Sequence, residues 1–113
     1  MSNVYDKAHE LAKAMKEDET VTSYREAVKK IEGDEAKRKM VEDFRQIQYQ
    51  AYNEKVTNDQ VSEETQKKME NLVGIISLNP EIMEFLDIEQ KFSILFDDIM
   101  KTLNEAIGID IIG

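Results

Sequence analysis

The sequence predicts an all-α protein, a bundle of about five helices with a long C-terminal helix. Three observations carry that expectation. Glycine is scarce, at four residues in 113, and proline occurs once, too few turn residues for a sheet protein of this size. Apolar residues recur at three- and four-residue spacing along most of the chain, the period of a helix face. Between Glu81 and Ile107 neither glycine nor proline interrupts the pattern. With 41% hydrophobic and 35% charged residues the chain reads as folded rather than disordered. Its length fits one domain, residues 1–113, with a modest core.

The first helix is expected near residues 3–16, with Val4, Tyr5, Ala8, Leu11, Ala12 and Met15 on one face and Asp6, Lys7, Glu10, Lys13 and Glu17 opposite. Asp18 and Thr20 are caps for a second helix over 19–31, striped by Val21, Tyr24, Val28 and Ile31. Gly33 closes it, on the expectation of a left-handed conformation just past a helix end. Asp34 then caps a third helix over 34–55, striped by Met40, Val41, Phe44, Ile47 and Ala51. The polar run Thr57-Asn58-Asp59-Gln60 is the clearest connection. Ser62 caps a fourth helix over 62–77, with Glu63 and Glu64 in the first turn, where the helix dipole favours them. It carries Met69, Leu72, Val73 and Ile76, is weakened by Gly74, and stops at Asn79-Pro80 because the residue before proline avoids helical geometry. The fifth helix, 80–107, starts on that proline and is striped by Ile82, Phe85, Leu86, Phe92, Phe96, Ile99, Leu103 and Ile107 over about 40 Å. The tail, Gly108 to Gly113, is apolar; it either docks on a neighbour or is disordered.

Composition removes several function classes. There is no cysteine, hence no disulfide, thiolate nucleophile or cysteine-ligated metal. The first residues have neither a basic region nor an apolar core, and no apolar run approaches the roughly 20 residues of a membrane span, so a cytoplasmic protein without membrane contact is expected. Residues 1–56 hold 11 Lys/Arg against 12 Asp/Glu, whereas residues 57–113 hold 4 against 12. The acidic second half repels nucleic acid and anionic lipid, and direct nucleic-acid binding is not expected.

No constellation of residues points to catalysis, a metal or a cofactor. His9 is the sole histidine and has no partner at a diagnostic spacing. The carboxylates Glu81, Glu84, Asp87, Glu89, Asp97, Asp98 and Glu105 lack the Glu-x-x-His pairs of di-iron bundles. Glu89 falls inside the apolar stripe and is expected to pair with a basic residue at a helix interface. Lys29, Lys30, Lys37, Arg38 and Lys39 surround Gly33, diluted by Glu32, Asp34, Glu35 and Glu42; this is either a solvated turn or a dock for an acidic surface. Tyr49 and Tyr52 sit in an amide-rich stretch with Gln46, Gln48, Gln50 and Asn53, either facing water or meeting a partner. The five methionines beyond the initiator lie mostly on apolar stripes, as core filler.

The stretch SYREAVKKIEGDEAKRKMVEDFR around Gly33 and the segment LNPEIMEFLDIEQKFSILFDDIMKTLNEAIG resemble the YheA branch of the YlbF/YmcA family, small helical proteins of Gram-positive bacteria. The likeness covers nearly the whole chain. It implies an oligomeric, cytoplasmic, all-helical protein. YlbF and YmcA form a complex with YaaT that influences competence, sporulation, biofilm formation and RNA processing. That complex is associated with cysteine-bound iron–sulfur clusters, for which this chain has no ligand.

The residues and the resemblance together lead to a non-enzymatic interaction or regulatory protein that self-associates, most simply as a homodimer. Its expected oligomer interface is Ile82, Phe85, Leu86, Glu89, Phe92, Phe96, Ile99 and Leu103. Lys29, Lys30, Lys37, Arg38, Lys39, Tyr49 and Tyr52 are candidates for docking a further helical protein. The alternative is an accessory factor in RNA processing or developmental regulation, as in the YlbF/YmcA relatives.

Overall fold

The computed structural model describes residues 3–108. They form five α-helices and no strand: α1 Val4–Glu17, α2 Glu19–Glu32, α3 Glu35–Asn58, α4 Glu63–Ile76 and α5 Pro80–Ile107. Tail residues 109–113, expected to dock or to be disordered, lie outside the described residues.

Local chemistry sets the helix ends. Asn3, Asp34 and Ser62 each accept a hydrogen bond from the backbone N–H three residues on, at 2.9, 3.2 and 3.2 Å. These satisfy donors that a helix start leaves without an intrahelical partner. Asp18 links α1 to α2, its carboxylate accepting from the Thr20 N–H at 2.9 Å. Arg25 donates to the Lys16 carbonyl at 3.1 Å, tying the same corner. At the start of α5 the Asn79 carbonyl takes the N–H groups of Ile82 and Met83, both at 3.1 Å.

Two ends differ from the sequence expectation. α3 continues to Asn58, through half of the polar run read as a connection, until Asp59 adopts a left-handed conformation at φ 63°. Polarity alone does not end a helix, and a short acidic side chain is among those that tolerate this backbone region. Gly33 does close α2, donating to the Lys29 carbonyl at 3.0 Å, but without a positive φ. A Cβ there would lie 3.3 Å from the Lys29 carbonyl oxygen, so the close approach is what favours glycine. The glycine with a left-handed backbone is Gly108, φ 74°, at the end of α5.

The chain divides into two compact units, and the division passes inside α2 and α5. The second unit, Ala27–Phe85, is built from the end of α2, all of α3 and α4, and the start of α5. There α3 and α4 pack against each other. Its core is Ala27, Ile31, Val41, Ile76, Ile82 and Phe85, with Thr65 buried beside them. All but Ala27 of these apolar residues stand at expected stripe positions, so stripes of separate helices meet as one cluster. The first unit comprises the described residues up to Glu26 and from Leu86 onward. None of its described residues is buried.

Candidate protein-interaction surface

Both units leave large apolar side chains exposed, and in the first they lie beside an aromatic stack. Tyr24 of α2 stacks on Phe92 of α5, ring centroids 4.8 Å apart, and Phe92 stacks in turn on Phe96 at 6.2 Å. The Tyr24 hydroxyl donates to the Glu89 carboxylate at 3.0 Å. Glu89, expected to pair with a basic residue, thus has a phenol as a partner, and the bond fixes the tyrosine ring against Phe92. One turn further along α5, Ile99, Thr102 and Leu103 meet Leu11 of α1 across a shallow groove of about 300 Å³, with Asp98 at its rim.

Only part of this stripe is covered. Phe96 is 45% exposed, Leu103 40% and Ile107 52%. Leu86, Glu89, Phe92 and Ile99 are half-buried. On α1, Val4, Tyr5, Ala8, Leu11 and Ala12 are exposed, and of the predicted stripe Met15 alone is half-buried. The Asn104 side-chain oxygen is buried without a hydrogen-bond partner on the same segment of α5.

The expected interface residues therefore fall into two groups. Ile82 and Phe85 are 0% and 3% exposed, in the core of the second unit, where Arg45 lies over the Phe85 ring at 5.8 Å. They have no surface to offer a partner. Leu86, Glu89, Phe92, Phe96, Ile99 and Leu103 share the first unit and leave apolar area open.

The candidate docking residues of the second unit are more dispersed. Lys37 pairs with Glu81 across from α3 to α5 and lies 3.8 Å from Asp34. The Glu81 hydrogen bond raises the Lys37 pKa above its ordinary value, against a smaller opposing effect of desolvation. Lys39 lies 3.7 Å from Asp43, while Lys29, Lys30 and Arg38 are exposed. Carboxylates thus interleave the basic turn in space as they do in sequence. Tyr49 and Tyr52 are 68% and 66% exposed on α3. A groove of about 340 Å³ between α3 and α4 has Ile47, Leu72 and Ile75 as its apolar lining, with Asp43 and Lys68 among its polar residues.

Sequence reading missed one constellation, at the α3–α4 connection. The Glu54 carboxylate accepts from the Ser62 N–H at 2.8 Å, the Thr65 hydroxyl at 2.6 Å and the Gln50 amide at 3.1 Å. Gln50 also reaches Thr65 at 3.2 Å, and the Ser62 hydroxyl bonds Thr65 at 3.0 Å. The Thr65 hydroxyl first, then the Ser62 backbone, lower the Glu54 pKa to about 2. A carboxylate from the end of one helix thereby caps the start of the next, and its place is structural. Glu54 and Thr65 stand eleven residues apart across a loop, a spacing that belongs to no local capping pattern.

Among the described residues no group of three or more His, Asp or Glu side chains could hold a metal ion. No helix among them is long and apolar enough to cross a membrane.

Fold and surface together define an all-α protein with apolar side chains left open on its helices. The chain belongs to the family described as control of competence regulator ComK, YlbF/YmcA, which it matches over residues 4–108. It is 41% identical over 109 residues to a UPF0342 protein of Clostridium tetani, covering 96% of this chain and 94% of that one. It is 42% identical over 110 residues to a UPF0342 protein of Clostridium novyi, covering 97% and 96%. Among solved structures it resembles the crystal structure of Bacillus subtilis RicA in complex with RicF, with a TM-score of 0.59, 21% identity and 93% of each chain covered. At that identity the likeness is one of fold.

Proposed function

We propose that this protein is a non-enzymatic interaction or regulatory protein of the cytoplasm that acts by assembling with helical protein, first of all with a second copy of itself. The observation that supports this reading is the partly open face of α5 beyond Leu86, with Phe96 45% and Leu103 40% exposed on a segment where no described residue is buried. Large apolar side chains left in water at helical spacing gain free energy when another helix covers them. The interface of this reading is Leu86, Glu89, Phe92, Phe96, Ile99 and Leu103. It assigns no catalytic residue and no cofactor. The family's description as control of competence regulator ComK fits a protein that works by binding, and RicA is known in complex with RicF.

Light scattering at micromolar concentration tests the proposal. The expected result is a species of at least twice the 13.1 kDa chain mass. Phe96→Glu should dissociate it, because a carboxylate would enter an apolar contact. A strictly monomeric, stably folded protein would refute the reading.

A further inference from the structure

The α5 face is too small to hold two copies together alone. From Leu86 to Ile107 the helix offers a strip about 33 Å long and about 10 Å wide, roughly 330 Å². A stable interface takes about 800 Å² from each partner, and even a modest specific one clears about 1,000 Å² in total. The shortfall points to further surface in the same unit, and α1 has it. Its 14 residues hold a stripe that the described chain leaves mostly open: Val4 is 80% exposed, Tyr5 77%, and Ala8 and Ala12 are open as well. Leu11 closes one side of the groove over Ile99 and Leu103, which makes the stripes of α1 and α5 adjacent parts of one surface. Adding α1, about 21 Å long, brings the strip to roughly 540 Å² per copy, and two copies past the roughly 1,000 Å² threshold.

Resting on the self-association proposed above, we infer that α1 supplies the second part of the self-association surface, its stripe of Val4, Tyr5, Ala8, Leu11 and Ala12 covered by the first unit of a second copy. The two α1 helices and the two α5 helices then enclose a common apolar centre, the smallest helical arrangement in which each stripe is covered on more than one side. Charge adds a signature. The described part of the first unit holds 11 Asp/Glu against 6 Lys/Arg, so two copies approach with like net charge. Added salt screens that repulsion and should tighten the assembly, the opposite of an association held by ion pairs.

Full-length variants compared by sedimentation velocity across a concentration series provide the test. Tyr5→Glu with Ala8→Glu places two carboxylates on the α1 stripe at exposed positions; glutamate is a good helix former, and circular dichroism checks that helicity is kept. Tyr49→Glu puts the same charge at a comparably exposed tyrosine of the second unit. The expected result is at least a tenfold weaker self-association for the α1 variant, with Tyr49→Glu indistinguishable from the parent. If the parent self-associates and Phe96→Glu dissociates it, while the α1 variant stays assembled, the inference is overturned and the proposed function stands. A monomeric parent would overturn both.

Discussion

The two units solve the same problem with different success. The second unit draws apolar residues from four helices into one cluster, and Ile82, Ile76, Phe85, Ile31 and Val41 all fall to 4% exposure or less. The first unit has α1, the start of α2 and the last three-quarters of α5, and none of its described residues reaches that state. Its best-packed feature is the Tyr24–Phe92–Phe96 stack, whose outer ring remains 45% exposed. Burial needs neighbours on several sides, and the first unit has fewer helices to provide them. The contrast separates the halves of the chain: the second unit holds a core of its own, and the first is the one that gains from a partner under the function proposed above.

The most severe way to break this contrast is to empty the second core. Ile82→Ala should cost about 3 kcal/mol and Phe85→Ala about 4 kcal/mol, as buried large-to-small changes do. Urea melts would read this as a drop in midpoint at every protein concentration. Phe96→Ala should cost about 1 kcal/mol or less in dilute monomer, since much of the ring already faces water. Its larger effect should appear as weakened self-association, so its cost in melts should grow with concentration.

Acid probes the α3–α4 connection. The folded-state pKa of Glu54 is depressed, to about 2 from 4.5. Its ionised form therefore stabilises the fold above about pH 4.5, and that contribution fades as pH falls from 4.5 towards 2. Glu54→Gln should melt earlier than the parent at pH 7, with the gap narrowing by pH 3; a constant gap would contradict the assignment. Smaller still, Gly74→Ala should raise stability by about 0.5–1 kcal/mol, because a helical glycine is replaced and the added methyl meets open space. Lys39→Ala should stay within about 0.5 kcal/mol, since its ion pair with Asp43 is surface-exposed.

Much of the fold was legible because its signals are local. The caps at Asp34 and Ser62, the proline that opens α5 and the helical stripes all act within a few residues, and the family resemblance agreed with them. Burial was less legible. The stripe of α5 runs unbroken from Ile82 to Ile107 in sequence, yet Ile82 and Phe85 are buried while Phe96 and Leu103 are not. Which part is covered depends on where the other helices arrive, and periodicity carries no such information. The Glu54–Thr65 lock was invisible for the same reason, its partners being joined by the course of the chain through Asp59. The α1 stripe was read correctly as an amphipathic face, but only its exposure next to the α5 groove gives it a place in the candidate surface.

Hydrogen exchange followed as a function of protein concentration tests the central claim most directly, because it reads both units in one sample. Amides of α1 and of α5 beyond Leu86 should gain protection as concentration rises, while those around Ile76 and Ile82 keep the same strong protection throughout. Equal, concentration-independent protection in the two units would contradict it.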